Sequence, residues 1–114
     1  MLAYVFWHSP AAGADLAAYE GALRDFHEVL RDDPPDGFSR SAALRVEGAP
    51  WLPGGAGYED WYLVGGFADL GALNEAAVAG RRRAPHDVVA GRSDHGAGGV
   101  YAHWAGAPEV GAGT

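Results

Sequence analysis

The sequence predicts a single α+β domain in which a four-stranded antiparallel sheet carries its helices on one face. Three observations lead there. Segments with strand and helix character follow one another in the order β-α-β-β-α-β. The third strand segment, residues 58–67, is apolar on both faces. Successive strand side chains point to opposite sides, so Trp61, Leu63 and Phe67 face one way and Tyr62 and Val64 the other. Finally, a chain of 114 residues without cysteine is long enough to bury one core without disulfide staples. It has helices for one face of such a sheet, so the other face calls for a second cover, most simply a partner subunit in a homodimer.

Residues 2–8 are a short aromatic-rich apolar run, a buried strand by length and residue type. Ser9, Pro10 and Gly13 break it. In residues 15–31, Leu16, Tyr19, Leu23, Phe26 and Leu30 recur at spacings of 3, 4, 3 and 4, one stripe of an amphipathic helix. Asp15 suits the positive end of that helix, and Glu20 and Arg24 form a favourable i,i+4 pair. Asp32, Asp33, Pro34, Pro35 and Gly37 end it. Residues 38–47 alternate, with Phe38, Ala42, Leu44 and Val46 on one face, interrupted by Arg40, and Ser39, Ser41, Arg45 and Glu47 on the other. That is a half-buried strand.

Residues 48–57, with Pro50 and Pro53, form a long hairpin connection carrying Trp51. After the 58–67 strand, Asp69 is the expected N-cap of a second helix running to about residue 84, with Leu70, Leu73 and Ala77 inward. Pro85 stops it and can open a short helix through Ala90. Residues 91–99 read as a glycine-rich loop and 100–104 as the last strand. Residues 1–107 are thus the expected domain and 108–114 a flexible tail. Right-handed crossovers give the sheet order 4-1-3-2, the ferredoxin-like split βαβ arrangement, with the first and third strands central.

Composition excludes whole classes of chemistry. The formal net charge is −7, whereas nucleic-acid binding draws on clustered Lys and Arg. The one basic run, Arg81 to Arg83, reads as a solvated helix end. Without Cys there is no thiolate metal site or cysteine nucleophile. Without Lys there is no Schiff base and no Walker phosphate loop. Ile is also absent while Ala, Gly and Arg abound, the mark of a high-GC genome and hence of a bacterial source. The first residues lack a basic n-region, and no run is long enough to span a bilayer. A soluble cytoplasmic protein with no membrane partner is expected.

In length, element order and two-sided central strands the chain resembles the dimeric α/β-barrel superfamily. Its members include antibiotic-biosynthesis monooxygenases, haem-degrading monooxygenases, polyketide cyclases, EthD-like proteins and stress-responsive barrel proteins. The resemblance spans nearly the whole chain and rests on architecture. It implies two ferredoxin-like subunits paired sheet against sheet, each with a pocket between sheet and helices for a small aromatic or polycyclic molecule. Trp61 looks like the strand tryptophan of the monooxygenase members. The Asn that those enzymes carry on the first strand has no counterpart in residues 2–8, and the spacing of His86 differs from that of the iron-ligating His of the haem-degrading members.

Five histidines, His8, His27, His86, His95 and His103, are the side chains whose ordinary pKa lies near neutrality. His86, held beside Asp87 at the start of a short helix, and His103, on the last strand, are the catalytic candidates. His8 and His103 are expected to lie close, because the first and fourth strands are neighbours. His27, Trp61, Tyr62 and Trp51 are the candidate substrate contacts. Trp61 and Tyr62 point to opposite faces, so one lines the pocket and the other serves the dimer. A metal site drawn from His86, Asp87, Asp94, His95 or His103 finds no HExxH or i,i+4 spacing to support it, and none is expected. No nucleophile elbow surrounds any serine, and Gly96 to Gly99 precede a strand and do not open a phosphate-binding helix. The expectation is a protein that binds a small apolar or aromatic molecule. If catalytic, it would be a cofactor-independent monooxygenase or cyclase-like enzyme using histidine acid–base chemistry. The alternatives are a non-catalytic, stress-responsive barrel and a haem-binding protein.

Overall fold

The structure, a computed structural model, describes residues 1–106; the tail expected at 108–114 lies outside them. Its elements are β1 (Leu2–Pro10), α1 (Leu16–Asp32), β2 (Phe38–Val46), β3 (Gly57–Val64), α2 (Phe67–Ala76), α3 (Arg83–Gly91) and β4 (Ser93–Ala102). Short 3-10 turns occupy Pro53–Gly55 and Gly80–Arg82. The sheet runs β2-β3-β1-β4, antiparallel throughout. This is the expected order, with β1 and β3 in the centre.

The α1 stripe forms as its spacing dictates. Tyr19, Ala22, Leu23, Phe26 and Leu30 are buried, and the Asp15 carboxylate caps the helix by accepting from the Ala18 N–H at 2.9 Å. These residues pack on Leu2, Tyr58, Tyr62 and Val64 of the sheet and on Leu73 and Val89 of α2 and α3. The opposite sheet face carries a smaller cluster of Ala3, Val5 and Leu63, with Trp7 and Trp61 packed against it. Phe38 lies against the helix-side core although its strand neighbours Ala42 and Leu44 pair with Trp61 and Glu59. A register shift between Phe38 and Arg40 turns it over.

The structure differs from the sequence reading in three places. β3 ends at Val64, and Phe67 opens α2, where it is 74% exposed, instead of continuing the strand. Gly66, not Asp69, is the N-cap of α2, and the helix stops at Ala76. The Asp69 side chain instead lies over Gly37 and Gly65, where a Cβ would come within 2.0 and 2.6 Å of its carboxylate oxygens. Between Gly80 and Gly91 the chain makes a 3-10 turn and then α3, with Pro85 in its first turn. Arg82 is fixed there, donating to the Asp33 carbonyl at 2.8 Å and pairing with its carboxylate at 3.1 Å.

The third difference matters most for the site. Residues 93–99 are not a loop but the first part of β4. Their glycines make room for aromatic rings on β1: a Cβ at Gly96 would come within 2.6 Å of the Phe6 ring, and one at Gly98 within 2.9 Å of the Tyr4 hydroxyl. The pairing slips between Trp7 and Ser9, and His95 adopts a positive φ of 55° beside the slip, as a bulge does.

Candidate active site

The residues of β1 at even positions and those of β3 that pair with them face the helices. β1 contributes Tyr4, Phe6 and His8, and β3 contributes Tyr58, Asp60 and Tyr62, with Tyr4 opposite Tyr62, Phe6 opposite Asp60 and His8 opposite Tyr58. The inner face of the sheet is therefore a field of aromatic rings with one carboxylate in it. Tyr4 stacks on Phe6 and Tyr62, and His8 stacks on Phe6 and Tyr58.

Above this field, between sheet and helices, is a cavity of about 530 Å³. Leu23 and Phe26 of α1, Leu73 of α2 with Ala77 just past its end, and His86 and Val89 of α3 wall it. His8, Asp60, Asn74, Ser93 and Asp94, with the hydroxyls of Tyr4 and Tyr62, supply its polar groups, and no Arg is among the lining residues. The size and the mixture of apolar walls with a few convergent polar groups are those of a small-molecule site.

Asp60 is 3% exposed, and its contacts fall on one oxygen. Tyr62 donates its hydroxyl to Oδ2 at 3.0 Å. His8 Nε2 lies 3.0 Å and His27 Nε2 3.6 Å from the same atom, near enough to pair in charge but without the alignment of a full hydrogen bond. Oδ1, equally buried, has no partner. Burial works to raise the pKa of this carboxyl, but the imidazoles of His27 and His8 outweigh it and hold the group below its ordinary value. Burial pushes the Tyr62 hydroxyl far up, with the Asp60 charge adding to it, so that it stays a donor.

Behind His8 runs a chain with one consistent polarity. Ser93 Oγ donates to the Val89 carbonyl at 2.7 Å, leaving its lone pairs for the Tyr19 hydroxyl at 2.8 Å. Tyr19, whose pKa burial pushes up to about 12, spends its proton on Ser93 and accepts from His8 Nδ1. His8 carries a proton at Nδ1 and turns Nε2 toward Asp60. On the far side, the His27 ring stacks on Tyr62 with centroids 5.3 Å apart, and its Nδ1 is 2.7 Å from Ser41 Oγ.

The sequence-predicted candidates separate cleanly. Tyr62 lines the cavity, as does His86, which lies edge-on to Phe26 and 3.1 Å from Asp87. His27 touches the buried carboxylate from outside the cavity. Trp61 lies on the opposite sheet face, where Glu59 accepts from both its indole N–H and that of Trp7. Trp51 is also there, 57% exposed and edge-on to Trp7, held by a hairpin whose Ala49 and Leu52 are buried. His103 is exposed and bonds the Gly106 carbonyl; its N–H donates to Met1 O, at the end of β1 away from His8. The expected closeness of His8 and His103 fails because β4 runs antiparallel to β1, with Leu2 opposite Ala102.

Asp60, His8, Tyr19 and Ser93 were not among the candidates. The signal for Asp60 was its parity: it shares a strand face with Tyr62, so a face that meets the core had to bury a charge. Among the described residues, no group of three or more His, Asp or Glu side chains is arranged to hold a metal ion, and no helix is long and apolar enough to cross a membrane.

Solved structures share this fold at low sequence identity. SnoaB, a cofactor-independent oxygenase from Streptomyces nogalater, aligns with a TM-score of 0.65 at 16% identity, over 95% of this chain and 97% of its own. A putative antibiotic biosynthesis monooxygenase from Nitrosomonas europaea aligns at 0.62 and 18%, over 90% of this chain and 98% of its own. A dimeric protein of unknown function with a ferredoxin-like fold, from Bacteroides fragilis, aligns at 0.61 and 10%, over 88% and 93%. No family model matches the sequence, and no curated protein matches it. The fold is the ferredoxin-like fold of these proteins.

Proposed function

We propose that the protein binds a flat, largely apolar small molecule in the cavity between sheet and helices and moves a proton at its polar floor. The observation that carries this reading is the buried Asp60 carboxylate, which lines a site-sized cavity and whose Oδ1 has no hydrogen-bond partner. Leaving such an oxygen unsatisfied is costly, and a ligand O–H, N–H or acidic C–H would satisfy it. The ligand's X–H bond breaks, an O–H bond forms on Asp60, and the electron pair stays on the ligand as a phenolate or enolate. The His8 imidazole, with Nε2 3.0 Å from Asp60 Oδ2, lies where it can stabilise charge developing at that end of the cavity. Tyr62 and His86 contact the ligand's rings. An enolate made this way reacts with dioxygen in a cofactor-independent oxygenase or with a carbonyl in a cyclase. Two of the structural neighbours, a cofactor-independent oxygenase and a putative antibiotic biosynthesis monooxygenase, favour the first of these.

A cavity of this volume, and not a space filled with Phe and Leu side chains, favours this reading over a purely structural barrel. A homodimer paired through the outer sheet face goes with it. Support comes from the exposed Trp51, the tryptophan-rich cluster on that face and the dimeric neighbour.

Binding of 4-nitrophenol against its methyl ether, 4-nitroanisole, tests the site. A hydrogen bond to a charged group is worth about 1.5–3 kcal/mol, so the phenol binds at least about tenfold more tightly, and Asp60→Asn removes most of that preference. Equal affinities in the wild type would refute the role given to Asp60.

A further inference from the structure

A proton delivered to Asp60 needs a way out, because a bound ligand closes the cavity side. A second groove of about 580 Å³ lies between α1 and β2, and its lining is more polar than that of the cavity. Glu20 and Arg24 of α1 and Ser41 and Arg45 of β2 line it, with Tyr58 from β3. His27 lines this groove and not the cavity, while Asp60 lines the cavity and not the groove.

The ring of His27 spans the wall between them. Nδ1 is 2.7 Å from Ser41 Oγ on the groove side, and Nε2, without an aligned partner, is 3.6 Å from Asp60 Oδ2 on the inner side. Stacking on Tyr62 fixes the plane of the ring, and its side chain is only 12% exposed. The other route from the carboxylate, through His8, Tyr19 and Ser93, ends on the Val89 carbonyl, which accepts a hydrogen bond but cannot pass a proton on.

We infer that His27 is the proton exit of the site, connecting the buried Asp60 to the solvent of the α1–β2 groove. Once Asp60 is protonated, the tautomer with Nδ1–H directed at Ser41 turns the Nε2 lone pair to the neutral carboxyl. The carboxyl turns about its Cβ–Cγ bond to bring the protonated oxygen to His27. Its O–H bond breaks as an N–H bond forms at Nε2, and the resulting imidazolium gives its Nδ1 proton through the Ser41 hydroxyl to water in the groove. Glu20, whose pKa the Arg45 and Tyr58 hydrogen bonds draw down to about 2, stays anionic there and favours the departing cation. His27 thereby acts through Asp60 and positions no ligand atom.

The inference rests on the proposed proton transfer at Asp60, and solvent exchange separates the two. The probe is 2-tetralone, a flat aromatic ketone with an acidic carbon, incubated with the full-length protein in heavy water and followed by proton NMR. Wild type exchanges the carbon-bound hydrogen faster than Asp60→Asn; if it does not, the proposed function fails. Given that exchange, His27→Gln retains probe affinity but slows deuterium wash-in by roughly tenfold or more, because the abstracted proton returns to carbon before it can leave. His27→Ala is slowed as well, and added imidazole restores its rate. Wild-type exchange rates in His27→Gln, or a His27→Ala defect that imidazole leaves untouched, would overturn the exit role. Should His27→Gln lose the fold, Ser41→Ala carries the same test, with slowed exchange expected and unchanged exchange contradicting it.

Discussion

Asp60 is the residue on which the site turns. Its folded-state pKa lies below the ordinary carboxyl value of about 3.9, so the sign of its contribution is fixed. Its pairing with His8 and His27 stabilises the fold above that value and is lost as the pH falls through the depressed one. Urea midpoints measured from neutrality into that acid range should therefore drop more steeply for the wild type than for Asp60→Asn. Identical profiles would mean that the carboxyl is not paired in the folded state. Asp60 and His8 were legible in the sequence only through parity. Each sits two positions from an aromatic on the inner face of a central strand, Asp60 beside Tyr62 and His8 beside Phe6. What no pattern gave is that α1 would bring Tyr19 and His27 onto them, since those contacts join residues 11 and more positions apart.

At the scale of elements, α1 and the two central strands followed from periodicity because their residue types and burial agree. β4 did not, because its glycines serve space and not flexibility. Gly96 and Gly98 leave room for the Phe6 and Tyr4 rings, and a strand built to lie under aromatic side chains has the composition of a loop. Gly96→Ala should push Phe6 toward the cavity and destabilise the protein by about 1–3 kcal/mol, the usual cost of overpacking, measured by chemical denaturation. It should weaken 4-nitrophenol binding as well. An unchanged affinity would mean that the ring yields away from the ligand. The second crossover was misread for a related reason. The helix expected to run to about residue 84 ends at Ala76, and a 3-10 turn at Gly80–Arg82, where Gly80 has a φ of +58°, leads into α3 at Arg83, just ahead of the expected Pro85 start; that turn places His86 over the cavity.

Across the whole molecule, the two faces of the sheet carry different work. The inner face holds the aromatic field, the buried carboxylate and the cavity, whereas the outer face holds Trp7, Trp51 and Trp61 around Ala3, Val5 and Leu63. The sequence assigned one of Trp61 and Tyr62 to each face but not which to which; the register of β1 against β3 decides it, with Tyr4 opposite Tyr62 beneath the helices. Pairing through the outer face predicts a dimer in sedimentation at micromolar concentration, shifted toward monomer by Trp61→Asp. A wild-type monomer under those conditions would contradict it. The proposed ligand site lies between sheet and helices, with Asp60 at its floor. Histidine ring NMR during titration with 4-nitrophenol tests it most directly: the His8 and His86 signals should shift together while that of His103 stays in place. Shifts at His103 alone, or none at His8, would contradict it.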